Sequence, residues 1–310
     1  MKRTRLAIAA ILAFALTSPV LSHAQLGSLD ITFNPGTGAD SRIRAVAVQP
    51  GGAILIGGEF TNVNGTNRSR VARFNSSGAL DSGFDPNVAG ASVYAVASQA
   101  DKVLIGGDFS SVNGLSRNAI ARLRSDGSLD LGFDPGSGAG PWFFTPTVRC
   151  IALQTNGQVL IGGGFVTFNG VNRNGLARLE PKGSLDMSFD PGAGVNGDVL
   201  SVAIQSDGKV LIGGNFTSYD GTSRPVIARL QTDGKLDDSF NPGTIVGNTI
   251  VYSLVIQPNG KIVIGGSFVS INGYTRNNIA RLNEDGTLDL DFNPAPGVSG
   301  GSAAVYCVAR

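Results

Sequence analysis

An all-β chain built from one repeated, four-stranded antiparallel unit is what three observations predict. The pair Leu-Asp recurs at Leu29, Leu80, Leu129, Leu185, Leu236 and Leu288, with spacings of 51, 49, 56, 51 and 52 residues. Each copy runs on into Phe-Asn-Pro or Phe-Asp-Pro, led by Phe33, Phe84, Phe133, Phe189, Phe240 and Phe292. Outside the first residues, no window carries an apolar stripe of helical period. A strict period near 52 residues signifies a solenoid, a propeller or an array, and four strands in a unit of that size is the arithmetic of a β-propeller blade. A β-solenoid is the alternative, but its rungs are shorter and its turns need no long hairpins.

In chain order, the first element is an export signal. Lys2, Arg3 and Arg5 precede an apolar run over residues 6–16, and Ser22-His23-Ala24 supplies a small-x-small cleavage site. Residues 1–24 are thus expected to be a signal peptide and 25–310 the repeat domain. The apolar run is too short to span a bilayer, and nothing later approaches 18 apolar residues, so no transmembrane segment is expected in the mature chain. The expected location is exported: secreted, periplasmic or cell-surface.

Cleavage would also remove His23, the sole histidine. Ser-His-Asp and Cys-His nucleophile systems and His-ligated zinc or iron are then excluded. Loss of Lys2, Arg3 and Arg5 from 24 cations leaves 21 against 23 carboxylates, a net charge of −2. That gives no electrostatic case for nucleic acid or an anionic membrane. With 42% hydrophobic residues the chain can bury a core, and disorder is excluded.

Within one repeat, residues 251–257, 261–268, 278–282 and 288–292 form four runs rich in apolar and β-branched residues. Pro258-Asn259-Gly260, Asn272-Gly273 and Asp285-Gly286 separate them, and such pairs tolerate the positive φ of tight hairpins. The consensus Leu-Asp-x-x-Phe-Asn/Asp-Pro, Gln-x-x-Gly-Lys-Val-Leu-Ile-Gly-Gly-x-Phe, Asn-Gly, Ile-Ala-Arg-Leu resembles the delta-60 repeat family of bacterial secreted and surface proteins. The resemblance covers about residues 28–310 and implies a β-propeller fold and an exported location, without an activity. Gln99-Ala100-Asp101 departs from the pattern by lacking the turn glycine, and the third repeat is about five residues longer than the others. The chain reaches only Val305-Tyr306-Cys307-Val308-Ala309-Arg310 of a sixth repeat. Five complete blades with a sixth begun, in a fragment of a longer chain, is therefore the expectation.

A residue present in every repeat is best explained by packing or turn geometry. Gly57-Gly58, Gly106-Gly107, Gly162-Gly163, Gly213-Gly214 and Gly265-Gly266 would permit a bulge or a close backbone approach. No helix follows to complete a phosphate loop. Arg73, Arg122, Arg178, Arg229 and Arg281 should pair with Asp81, Asp130, Asp186, Asp237 and Asp289. Arg68, Arg117, Arg173, Arg224 and Arg276 would either anchor loops or ring one face for an anionic ligand. Asn exchanges freely for Asp before Pro, as turn bonding allows and acid-base chemistry does not. The spacing of a calcium loop is missing, so no metal or other cofactor is expected. Cys150 and Cys307 share a column of small residues and should lie too far apart for a disulfide.

Function should then sit where repeats differ. Trp142, Phe143 and Phe144 lie in the extra segment of the third repeat, and the first strands begin with Arg44, Tyr94, Arg149, Leu200, Tyr252 and Tyr306. Aromatic and arginine side chains at a channel mouth suit an extracellular protein, peptide or polysaccharide; folding of the insert into a hydrophobic plug is the competing reading. The expected function is a non-catalytic exported scaffold binding such a partner on its loop face. A polysaccharide hydrolase or lyase would need a converging carboxylate pair, for which Glu59, Asp108 and Asp198 are scattered candidates. A structural surface array is the third possibility.

Overall fold

The computed structural model describes residues 30–141, 145–294, 297–298 and 303–309, so residues 1–24 lie outside it. Among the described residues there are 26 strands and no helix. Five antiparallel sheets follow one another, each ordered first, second, third strand. The first strands are Ile43–Val48, Val88–Gln99, Thr147–Leu153, Val199–Ile204 and Ile250–Ile256. The second strands are Ile54–Gly58, Lys102–Val112, Val159–Gly164, Val210–Gly214 and Ile262–Ser267. The third are Val71–Phe74, Ile120–Leu123, Leu176–Leu179, Ile227–Leu230 and Ile279–Leu282. These sheets are units 1 to 5 below.

Between second and third strands, a short excursion turns on Asn64-Gly65, Asn113-Gly114, Asn169-Gly170, Asp220-Gly221 and Asn272-Gly273. Both residues of each pair have positive φ, as a two-residue hairpin turn of the right twist demands.

The Leu-Asp segment does not form a fourth strand. It contributes only isolated bridges, Phe74 to Leu80, Leu123 to Leu129, Leu179 to Leu185, Leu230 to Leu236 and Leu282 to Leu288. The aspartate that follows ends the pairing. Asp186 still donates its N–H to the Arg178 carbonyl (2.9 Å), but its Oδ1 then accepts the N–H of Ser188 at 2.8 Å and turns the chain away.

The core lies in the seams between sheets. Leu55 and Val71 of unit 1 cluster with Phe84, Val93, Val103 and Ile105, and Leu104 and Ile120 of unit 2 with Phe133, Val148, Val159 and Phe165. Phe84, Phe133, Phe189 and Phe240 are fully buried, while the end copies Phe33 and Phe292 are half-buried. Val93, Val148, Val199 and Val251 are fully buried, each against the first glycine of the preceding unit: Val199 Cγ1 would meet a Cβ on Gly162 at 2.6 Å. Ile43 has no such glycine against it among the described residues and is 47% exposed.

The third-strand arginine also crosses three of the four seams, those between units 2 and 3, 3 and 4, and 4 and 5. Arg178 donates Nε to Asp186 (2.6 Å), lies 4.8 Å from the Phe189 ring centre, and donates Nη1 to the Thr232 carbonyl in the next unit (2.7 Å). Arg122 and Arg229 do the same with Asp130, Phe133 and Pro181, and with Asp237, Phe240 and Glu284. Arg73 pairs with Asp81 and Arg281 with Asp289.

Two outcomes are expected. A Cβ on Gly214 would collide with the Asp198 carbonyl oxygen, so Gly214→Ala should lower the urea-unfolding free energy by about 1–3 kcal/mol. Burial raises the pKa of Asp130, but hydrogen bonds from Lys102 and Arg122 outweigh it and hold the carboxyl at about 2, below its ordinary 3.8. A depressed carboxylate pKa contributes stability that is complete above the ordinary value and is lost as pH falls through the folded one. Acid unfolding followed by circular dichroism should therefore steepen between those two values, and Asp130→Asn should remove that share of the slope.

Candidate functional site

The candidate site is built on an irregularity common to all five units. In each first strand the register slips by one residue opposite the glycine pair: between Ile43 and Ala45, Val93 and Ala95, Val148 and Cys150, Val199 and Ser201, and Val251 and Ser253. The skipped residues are Arg44, Tyr94, Arg149, Leu200 and Tyr252. The second glycine makes this possible, because a side chain there would strike a first-strand carbonyl: Arg42 from Gly58, Ser92 from Gly107, Thr147 from Gly163 and Ile250 from Gly266. A β-bulge with an unpaired, re-aimed residue is the result.

These residues form two groups. Arg44 and Arg149 both lie over the Tyr94 ring, 6.0 and 4.9 Å from its centre. Arg44 donates Nε to Glu59 (2.8 Å), and this bond holds the Glu59 carboxyl below its usual range. Tyr94 donates weakly to Asp108 at 3.5 Å, and Arg149 Nε stands 3.3 Å from Asp198 Oδ2. The second group is Tyr252 with Tyr306, whose rings stand 4.8 Å apart at 40°. Tyr306 is 69% exposed, and burial, then the neighbouring Tyr306, raises the pKa of Tyr252. Leu200 carries no polar group between the two. Trp142, Phe143 and Phe144 lie outside the described residues.

Of the sequence-based candidates, then, Arg44, Tyr94 and Arg149 come together, and so do Tyr252 and Tyr306. Glu59, Asp108 and Asp198 are each engaged by their own partner. The Arg68 column anchors loops. Arg68, Arg173 and Arg276 are buried, and each donates Nη1 to the carbonyl of the residue before it at 2.7–2.8 Å.

One feature went unread in the sequence. The position after the glycine pair holds Glu59, Asp108, Gly164, Asn215 and Ser267. Glu59 binds the bulged Arg44, Asp108 accepts the Ser92 N–H, and Asn215 accepts the Asp198 N–H. Gly164 has nothing to offer, and a cleft of about 360 Å³ opens there, lined by Thr145, Thr147, Arg149, Phe165, Asn174 and Asp198 among others. Aligning the repeats on their glycine pairs would have exposed the difference.

Five segments, residues 49–84, 99–133, 154–189, 205–240 and 257–292, match the family described as "Domain of unknown function (DUF5122) beta-propeller". The chain belongs to this DUF5122 β-propeller family. Each DUF5122 segment runs from the glutamine after the first strand to the phenylalanine before Asn/Asp-Pro, so it contains the Gly-Gly, Arg and Phe columns. Arg44, Tyr94, Arg149, Tyr252 and Tyr306 fall outside all five. No curated protein matches the chain. Similar solved structures include the computationally designed Ika8 protein (15% identity, 88% of this chain and 79% of that one, TM-score 0.50). Others are the WD40 beta propeller domain of Doa1 (15%, 88% and 87%, 0.40) and the extracellular domain of the BT4673 one component system of B. thetaiotaomicron (18%, 78% and 27%, 0.47). The chain thus spans about a quarter of that last protein.

Cys150 and Cys307 are both free thiols. Burial pushes the Cys150 thiol up to about 12, whereas Cys307 is exposed. A thiol-exchange reagent at pH 8 should therefore titrate one thiol per native chain and a second only after denaturation.

Proposed function

We propose that this DUF5122 protein is an exported, non-catalytic β-propeller scaffold that holds an extracellular partner or polymer on the face where its first strands begin. The observation carrying this is the set of side chains turned out by the bulges, Arg44, Tyr94, Arg149 and Tyr252, the last of them against the Tyr306 ring. They lie outside the architectural columns and combine stacking surfaces with guanidinium donors, the means by which proteins hold glycans and peptides. Glu59, Asp108 and Asp198 each have a separate partner, which favours binding over hydrolysis. Export rests on the charged, apolar and small-residue pattern of residues 1–24.

We further take the sheets as blades of one ring of the delta-60 kind. The uncovered Ile43, Val46 and Val48 of unit 1 are the face against which such a ring would close.

The test is retention on immobilised polysaccharides and peptides. Tyr252→Ala and Trp142→Ala should each weaken retention about tenfold while leaving the circular dichroism spectrum unchanged. Undiminished retention in both variants, or turnover of a polysaccharide, would remove the reading.

A further inference from the structure

We propose that the cleft at Gly164 is the anchoring subsite of this face and takes one neutral sugar ring of a glycan chain. The inference rests on the binding reading above and narrows its ligand.

The cleft exists because one repeat lacks a side chain that others use. In units 1, 2 and 4 the residue after the glycine pair reaches the neighbouring first strand or the turn before it. In unit 3 Gly164 leaves that space to Thr147 and Asp198, whose oxygens would stand 3.0 and 2.8 Å from a Cβ built on it. Gly164 does not sit in the left-handed region, so its backbone does not require glycine. What excludes a side chain there is the pair of oxygens, and the cleft beside them is lined by both polar and apolar groups.

The chemistry of the walls selects the occupant. Phe165, Val166 and Val195 supply apolar lining, and Thr145, Thr147 and Asn174 polar lining. Arg149 lies on the Tyr94 ring with Nε 3.3 Å from Asp198 Oδ2, yet it makes no hydrogen bond among the described residues, so the guanidinium keeps donors for a ligand. Beside it, Asp198 Oδ1 accepts no hydrogen bond among the described residues. A forked donor next to an acceptor matches adjacent hydroxyls, each of which both donates and accepts. A pyranose presents those hydroxyls on its rim and C–H groups on its faces, so it can meet both kinds of lining. The guanidinium and carboxylate cancel, so a carboxylate or sulfate on the ring would lose its hydration with no net attraction to offset the loss, and a neutral ring is favoured. A volume of about 360 Å³ is at the small end of ligand sites, enough for one ring. An adjoining, more open depression of about 430 Å³ shares Val166, Asn174 and Val195 and adds Asn172, Asn196 and Ser218, a place for the next ring of a chain.

The test uses residues 25–310 and four neutral probes: cellohexaose, mannohexaose, xylohexaose and isomaltohexaose. Affinity is read by calorimetry and by the emission of Trp142, the sole tryptophan and three residues before Thr145. Gly164→Asn, which copies unit 4, should weaken the best hexasaccharide more than tenfold at an unchanged melting temperature. Asp198→Asn, which keeps the shape and removes the charge, should weaken it severalfold and covers the case in which Gly164→Asn fails to fold. Binding that survives both substitutions but is lost in Tyr94→Ala would place the sugar elsewhere, overturning the subsite and sparing the wider reading. Peptides bound and no hexasaccharide bound would do the same. A change in Trp142 emission on Gly164→Asn without any sugar bound would identify the chain's own tryptophan as the occupant and overturn the proposal. No binding to hexasaccharides or peptides would sink both.

Discussion

Two adjacent glycines in each second strand impose the constraint on which the seams and the bulged residues both depend. Their tasks are separable. The first, as at Gly162, leaves room for a valine of the next unit, Val199, so successive sheets approach closely. The second, as at Gly163, admits the carbonyl of Thr147, which a Cβ would displace, and the first strand must then bulge. The bulge is what frees Arg149 from cross-strand pairing. Packing between sheets and presentation of the bulged residues are thus two outcomes of one local deletion of side-chain volume. A change that spoils the second glycine should disturb the site without touching any residue in it.

The arginine of the third strand acts at the other end of the seam, and its value is geometric more than energetic. A buried ion pair taken alone is weak evidence for stability, because desolvation offsets much of the attraction. Here the guanidinium has three fixed neighbours: a carboxylate, a ring face and a carbonyl of the next unit. Removal of any one leaves the others unsatisfied. The dependence shows in the burial of the series. Arg122, Arg178 and Arg229, which reach across a seam, have side chains 10, 9 and 7% exposed. Arg73 and Arg281, without such a bond among the described residues, are 17 and 22% exposed. The seam bond therefore accompanies closure of the water path to the ion pair, and the inner units gain most from it.

Much of this architecture was legible before any coordinates, because repetition turns one sequence into its own comparison. The period, the Asn-Gly hairpins and the Arg-Asp pairing each follow from residue chemistry that acts within about ten positions. What was not legible depends on partners outside the repeat or on competition inside it. Leu-Asp-x-x-Phe reads as a strand by its alternation, yet the Asp186 carboxylate captures the Ser188 N–H and cuts the pairing short. The sequence leaves the Arg68 column open between loop anchor and cationic ring, and only the bond to the preceding carbonyl of its own loop decides for the anchor. Gly-Gly signals a bulge or a close approach, and both occur, but the pattern does not say which residue the bulge turns out. Gly164 was visible as a departure and escaped notice because attention to what recurs hides a single omission.

The bulge also explains why variation is concentrated where it is. A residue with no cross-strand partner is released from the packing that fixes its neighbours. Valines on one side of it are fully buried against glycine, and on the other the small column of Ala45, Ala95, Cys150, Ser201 and Ser253 faces the first glycine across the strand pair. Between them Arg44, Tyr94, Arg149, Leu200 and Tyr252 differ in size, charge and shape, while the neighbours stay β-branched on one side and small on the other. A ligand face needs this combination: a backbone whose spacing is set by rigid sheets and side chains whose identity the fold does not dictate. The same freedom extends one residue past the glycine pair, where Glu59, Asp108, Asn215 and Ser267 vary and Gly164 withdraws altogether. In such a scaffold specificity can change by substitution at these two columns alone, and the seam would not register the difference.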